Sequence, residues 1–121
     1  MLNLNSILVF SENPDKLAEF YQKVFQKDAG WSDGGFTGFK VGDGMIAFGP
    51  HDKVHGKNTT PERIMFNLET EDFSAEVKRI KALGAKVIQE PYEPEEESRM
   101  SIATFEDPDG NFFQLVTPMK M

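Results

Sequence analysis

The chain has 121 residues, enough for one domain with its own core, and a formal net charge of -7 at pH 7. That acidity argues against nucleic acid, which needs a basic face, and the absence of cysteine excludes disulfides, thiol catalysis and thiolate metal sites. No apolar run approaches the ~20 residues of a membrane span. "MLNLNSILVF" lacks a basic segment ahead of its apolar stretch, so the expected location is the cytoplasm.

Residues 4–10, "LNSILVF", read as a strand. In "ENPDK", Asn13 suits a helix N-cap, Pro14 the first helical position, and Asp15 the first turn, where the helix dipole favours an anion. Leu17, Phe20, Tyr21 and Val24 then recur on one stripe, predicting a helix that ends near Gly30. "DAGWSDGGF" is polar and glycine-rich and reads as a loop holding Trp31. "FTGFKV" and "MIAFG", separated by "GDG", read as hairpin strands, and residues 50–62 as a linker.

The second half repeats this grammar. "RIMFNLET" reads as a strand, and Asp72 caps a helix carrying Phe73, Val77, Ile80 and Leu83 on one face, with Gly84 placed to close it. "AKVIQE" is a strand and "PYEPEEES" an acidic loop. "RMSIATFED" and "NFFQLVT" form a pair around the turn "PDG". Aligning Asp43-Gly44 with Asp109-Gly110 sets Phe39 on Phe105, Ile46 on Phe112 and Phe48 on Gln114. Aligning the caps Asn13 and Asp72 sets Ser6 on Met65. The expectation is a single domain, 1–121, made of two modules, 1–57 and 61–121, that share a core.

Three stretches, "ENPDKLAEFYQKVF", "LETEDFSAEVKRIKALGAKV" and above all "FEDPDGNFFQLV", give the chain a resemblance to the vicinal oxygen chelate superfamily: the glyoxalases, bleomycin-resistance proteins and extradiol dioxygenases. The resemblance implies an α+β fold of two βαβββ modules forming an open, barrel-like mixed-sheet cleft with the helices outside, and a homodimer. Metal-dependent members place ligands on the first and last strand of each module. Carried over, those points fall near Ser6 (or Asn5), on Phe48, near Met65 and on Gln114, where glutamate is usual. A catalytic divalent ion needs about three imidazole, carboxylate or thiolate ligands. A hydroxyl or amide, a phenyl ring, a thioether and an amide do not supply them, so no cofactor is expected.

Gln114 then has two readings: a hydrogen-bonding handle in the cleft, or a buried amide bonded to its neighbours. Trp31 is expected at the cleft rim as a stacking surface. Arg99 either binds an acidic ligand group or pairs with the glutamates beside it. Those glutamates, Glu93, Glu95, Glu96 and Glu97, read as a solvated loop, with a lid that attracts a cationic ligand as the functional alternative. Asp107 and Asp109 read as turn chemistry. His51 and His55 sit four apart in "HDKVH", but Pro50 and Gly56 flank them and no glutamate follows His51, so the zincin pattern is not met.

The leading expectation is a non-metal small-molecule-binding member with an apolar, aromatic cleft for a hydrophobic ligand of cationic or aromatic character. Ser6, Trp31, Phe48, Met65, Arg99 and Gln114 would line it. The alternative is a metal-dependent lyase or dioxygenase of the same superfamily that recruits His51 or His55. A third is a structural or regulatory dimer with no small ligand.

Overall fold

The computed structural model describes residues 1–94 and 100–118, which divide into two compact units, 1–56 and 57–121. The first unit contains β1 (Ile7–Phe10), α1 (Pro14–Phe25), β2 (Trp31–Asp33), β3 (Phe36–Val41) and β4 (Gly44–Gly49). The second contains β5 (Phe66–Glu69), α2 (Phe73–Ala82), β6 (Lys86–Tyr92), β7 (Ile102–Glu106) and β8 (Phe112–Val116). The sheets are ordered β1-β4-β3-β2 and β5-β8-β7-β6, each with a parallel first pair and antiparallel remainder. The chain is therefore α+β, two βαβββ modules. No helix among the described residues is long and apolar enough to cross a membrane.

In the first unit, α1 buries Leu17, Ala18, Tyr21 and Val24. Tyr21 stacks on Phe48 with centroids 4.8 Å apart, and Phe25 meets Phe39 edge-on at 5.5 Å. Burying each large apolar side chain contributes about 1.5–3 kcal/mol, so this seam dominates the unit's stability. The helix stops at Phe25, short of Gly30, because Gln26 turns left-handed at φ 52. In the second unit, α2 packs on β8 and buries Val77 and Ile80. Phe66, Phe113 and Phe105 stack in a row across that sheet at 6.1 and 5.6 Å. Gly84, at φ 89, follows the last turn of α2 as expected.

Both helices start by the same device, and it is not the expected one. Neither Asn13 nor Asp72 makes a side-chain capping bond. Instead the Asn13 N–H donates to Ser11 Oγ at 2.9 Å, and the Asp72 N–H to Thr70 Oγ1 at 3.0 Å. The backbone N–H groups of Ser11 and Thr70 in turn donate to the carbonyls of Gly49 and Val116. This shared geometry supports the internal repeat more firmly than residue identities do.

The hairpin turns differ, and the difference corrects the repeat alignment. Gly42 and Asp43 alone connect Val41 to its partner Gly44. Gly42 has φ 59 and Asp43 a negative φ, as a type II′ turn requires. In the second unit Asp107 bonds Asn111 across three residues, Pro108, Asp109 and Gly110, the last at φ 82. The extra residue shifts the last strand by one. Leu8 and Gly38 both pair with Ala47, while Asn67 and Thr104 both pair with Gln114. Ala47, not Phe48, is the counterpart of Gln114.

A second correction concerns "DAGWSDGGF", read as a loop. Its Trp31–Asp33 segment is the edge strand β2, pairing Trp31 with Gly38 and Asp33 with Phe36.

Candidate functional site

Side chains alternate across a strand, so each sheet has one face under its helix and one turned away. In the first unit Phe39, Ile46 and Phe48 take the helix side. Phe48 is 0% exposed and packed on Tyr21, so it does not line a binding face. The opposite face carries Leu8 and Phe10 on β1, Phe36 and Gly38 on β3, and Met45, Ala47 and Gly49 on β4.

Two aromatic rings lie on glycines of that face. A Cβ added at Gly38 would stand 2.3 Å from Trp31 Cε2 and Nε1, and one at Gly49 would stand 2.3 Å from Phe36 Cδ2. The rings therefore rest directly on backbone, where no other residue type leaves room. Trp31 stays 40% exposed. Phe36 meets Phe10 edge-on at 5.9 Å, and Phe10 meets the His51 ring at 5.1 Å. The result is an aromatic surface that tryptophan leaves open to solvent.

The second unit's corresponding face carries Ile102, Phe112 and Val116 but has a polar row through its middle. Its paired positions across the sheet are Asn67 on β5, Gln114 on β8, Thr104 on β7 and Gln89 on β6. Gln114 Nε2 donates to Thr104 Oγ1 at 3.0 Å, so the amide is held by its neighbour, while its Oε1 has no partner among the described residues. Ser6 and Met65 each stand one residue ahead of their strands, Ser6 half-buried and Met65 exposed. Arg99 and Glu95, Glu96 and Glu97 lie outside the described residues.

With the register corrected, the four points that the resemblance implies hold a hydroxyl (an amide if Asn5), a methyl, a thioether and an amide. Ala47 offers no lone pair and Met65 only a soft sulfur, so the set does not fit a divalent ion. Among the described residues no group of three or more His, Cys, Asp or Glu could hold a metal. His51 and His55 have different partners. His51 Nδ1 accepts from the Lys53 N–H at 3.1 Å, whereas His55 Nδ1 lies 3.9 Å from Glu12 Oε1.

Asp107 is structural. It is 4% exposed and accepts from the Asp109 and Asn111 N–H groups and from Asn111 Nδ2. Asn58 straps onto the same turn, bonding Asn111 Oδ1 through its amide and the Asp109 carbonyl through its N–H. An open depression of about 520 Å³, lined by Glu19, Gln22, Lys23, Gln26, Lys27 and Asp28, lies on the solvent side of α1. Its lining is entirely charged or amide side chains.

Residues 6–116 match the glyoxalase-like domain family, and the chain belongs to it. It is thereby a member of the vicinal oxygen chelate superfamily. No curated protein matches the sequence. Among solved structures, a glyoxalase/bleomycin resistance protein/dioxygenase family enzyme from Burkholderia phytofirmans PsJN is 22% identical with TM-score 0.77, over 98% of this chain and 100% of that one. The fosfomycin resistance protein FosX from Mesorhizobium loti is 18% identical with TM-score 0.72, over 98% and 94%. The E126Q mutant of FosX from Listeria monocytogenes, complexed with Mn(II) and 1S,2S-dihydroxypropylphosphonic acid, is 22% identical with TM-score 0.73, over 98% and 92%.

Proposed function

We propose that this protein is a non-metal, small-molecule-binding member of its family, taking a hydrophobic ligand with a planar, π-rich or cationic group on the open sheet face of the first unit. The observation that carries the reading is the seating of Trp31 and Phe36 on Gly38 and Gly49. A large ring pressed onto backbone and left 40% open presents its other face to a ligand, by stacking or by cation–π attraction. The chemistry at the four family ligand points supports binding without a metal. The reading includes a homodimer, which rests on the family resemblance alone, and a cytoplasmic location, which rests on the N-terminal sequence.

The alternative, a metal-dependent lyase or dioxygenase, draws support from FosX of L. monocytogenes, a protein of the same fold complexed with Mn(II). It would require His51 or His55 to leave their present partners.

Trp31 is the only tryptophan, so its fluorescence reports on this face directly. Hydrophobic cationic and aromatic compounds are expected to quench it. Calorimetry on Trp31→Ala is expected to find binding weakened about two- to tenfold, the range of one aromatic pair. No quenching across such a panel would refute the reading. Elemental analysis finding about one tightly held divalent ion per chain, lost in His51→Ala, would move the assignment to the enzyme.

A further inference from the structure

We infer that His51 sets ligand specificity on this aromatic face, offering Nε2–H to a hydrogen-bond acceptor carried beside the ligand's π-system. The inference rests on the binding reading above and adds the chemical class: planar apolar molecules bearing a carbonyl or carboxylate oxygen.

Two backbone bonds build the residue into place. The Lys53 N–H donates to His51 Nδ1 at 3.1 Å, and the Val54 N–H donates to the His51 carbonyl at 3.1 Å. The segment "HDKV" is thus a tight turn that fixes both the main chain and the ring of its first residue. The ring continues the aromatic row. It meets Phe10 at 5.1 Å and 75°, and Phe10 meets Phe36 at 5.9 Å and 85°. The side chain keeps 42% of its surface exposed, and Nε2 has no partner among the described residues.

The tautomer follows from the first bond. A ring nitrogen that accepts from a backbone N–H carries no proton, so neutral imidazole holds its hydrogen on the other nitrogen. Nε2 is therefore a donor. Asp52 Oδ1, 3.3 Å from Nδ1, competes for the same nitrogen, because a protonated ring would donate to it. Asp52 is 89% exposed, and water screens its charge. The backbone donor is fixed in place, so a neutral ring carries its proton on Nε2.

An apolar patch alone would take any greasy molecule. A donor fixed at its border discriminates, because a ligand oxygen that leaves water regains a bond there. The segment "HDKVH", which fails as a zinc motif, acquires a role in this way.

The test compares two probes of nearly equal shape, 2-acetylnaphthalene and 2-isopropenylnaphthalene, by calorimetry on the full chain. The wild type is expected to bind the ketone about three- to tenfold more tightly, and His51→Phe, which keeps a ring against Phe10, to bind both equally. Equal affinities in the wild type, or a preference that survives His51→Phe, overturn the inference while leaving the binding reading intact. Failure of the wild type to bind either probe overturns the inference, and the binding reading falls with it only if the wider quenching panel also fails. A second measurement does not depend on the variant folding: ¹⁵N spectra of the wild-type imidazole above pH 8 are expected to show the proton on Nε2, and a proton on Nδ1 overturns the assignment.

Discussion

Gly38→Ala tests the geometry on which the binding face depends. The added methyl would sit 2.3 Å from two atoms of the Trp31 indole, a separation that cannot persist. Either the edge strand shifts or the ring swings away. Trp31 is about 60% buried, from its 40% exposure. A tryptophan buries up to ~250 Å². Complete release would therefore re-expose about 150 Å², worth at most about 4 kcal/mol at ~25 cal/mol per Å². Overpacking without full release costs about 1–3 kcal/mol. The opposing gain from a less flexible unfolded chain is only about 0.4–1 kcal/mol, so the clash wins. The expected result is a net loss of about 0.5–2.5 kcal/mol in urea denaturation, with a red shift of tryptophan emission as the indole meets water. Gly44→Ala is the control, since its nearest contact would be the Val41 carbonyl at an ordinary 3.6 Å. Unchanged emission and unchanged stability in Gly38→Ala would refute the seating of Trp31 on that glycine.

Two further predictions concern the second unit. Asp107→Ala removes the buried acceptor of the Asp109 and Asn111 N–H groups, and denaturant melts are expected to show a loss of about 2–3 kcal/mol, with Asp107→Asn intermediate. On α2, the hydrogen bonds from Arg79 hold the Glu76 carboxyl below its ordinary value of 4.5, against a smaller opposing effect of burial. A pKa lowered by folding means that the stabilisation is complete above the unfolded value and fades as pH falls through the folded one. The pair is partly exposed, so Glu76→Gln is expected to cost about 0.3–1 kcal/mol at pH 7 and almost nothing near pH 2. A difference in melting temperature that persists at pH 2 would count against it.

The fold was legible because its punctuation is strong. Asn13-Pro14, Asp72, Gly84 and the "PDG" turn each bound an element whose apolar spacing is unambiguous. The first helix starts where Asn13-Pro14 predicts, although Ser11, not the side chain of Asn13, makes the local bond. The site was less legible. β2 is three residues long and surrounded by glycines, too short for alternation to show. Matching the two Asp-Gly pairs sets Phe48 on Gln114 because it runs through two turns of unequal length. A one-residue slip in a strand exchanges its faces, turning a helix-packed phenyl into an apparent ligand-facing one. The signal was present in the letters: "GDG" suits a two-residue turn and "DPDGN" a three-residue one. Nothing in the sequence marked Gly38 and Gly49 as seats for aromatic rings, because those contacts join residues paired across strands.

The seating of Trp31 on Gly38 and of Phe36 on Gly49 also constrains how this chain can drift. Neither member of a pair can change freely while the other stays: a side chain at 38 becomes admissible only after the indole has been trimmed, and the same order holds for 49 and the phenyl. Positions 31 and 38, and positions 36 and 49, should therefore vary jointly among descendants of this sequence, and a lineage that gives up the indole surrenders the stacking platform before it gains anything at the glycine.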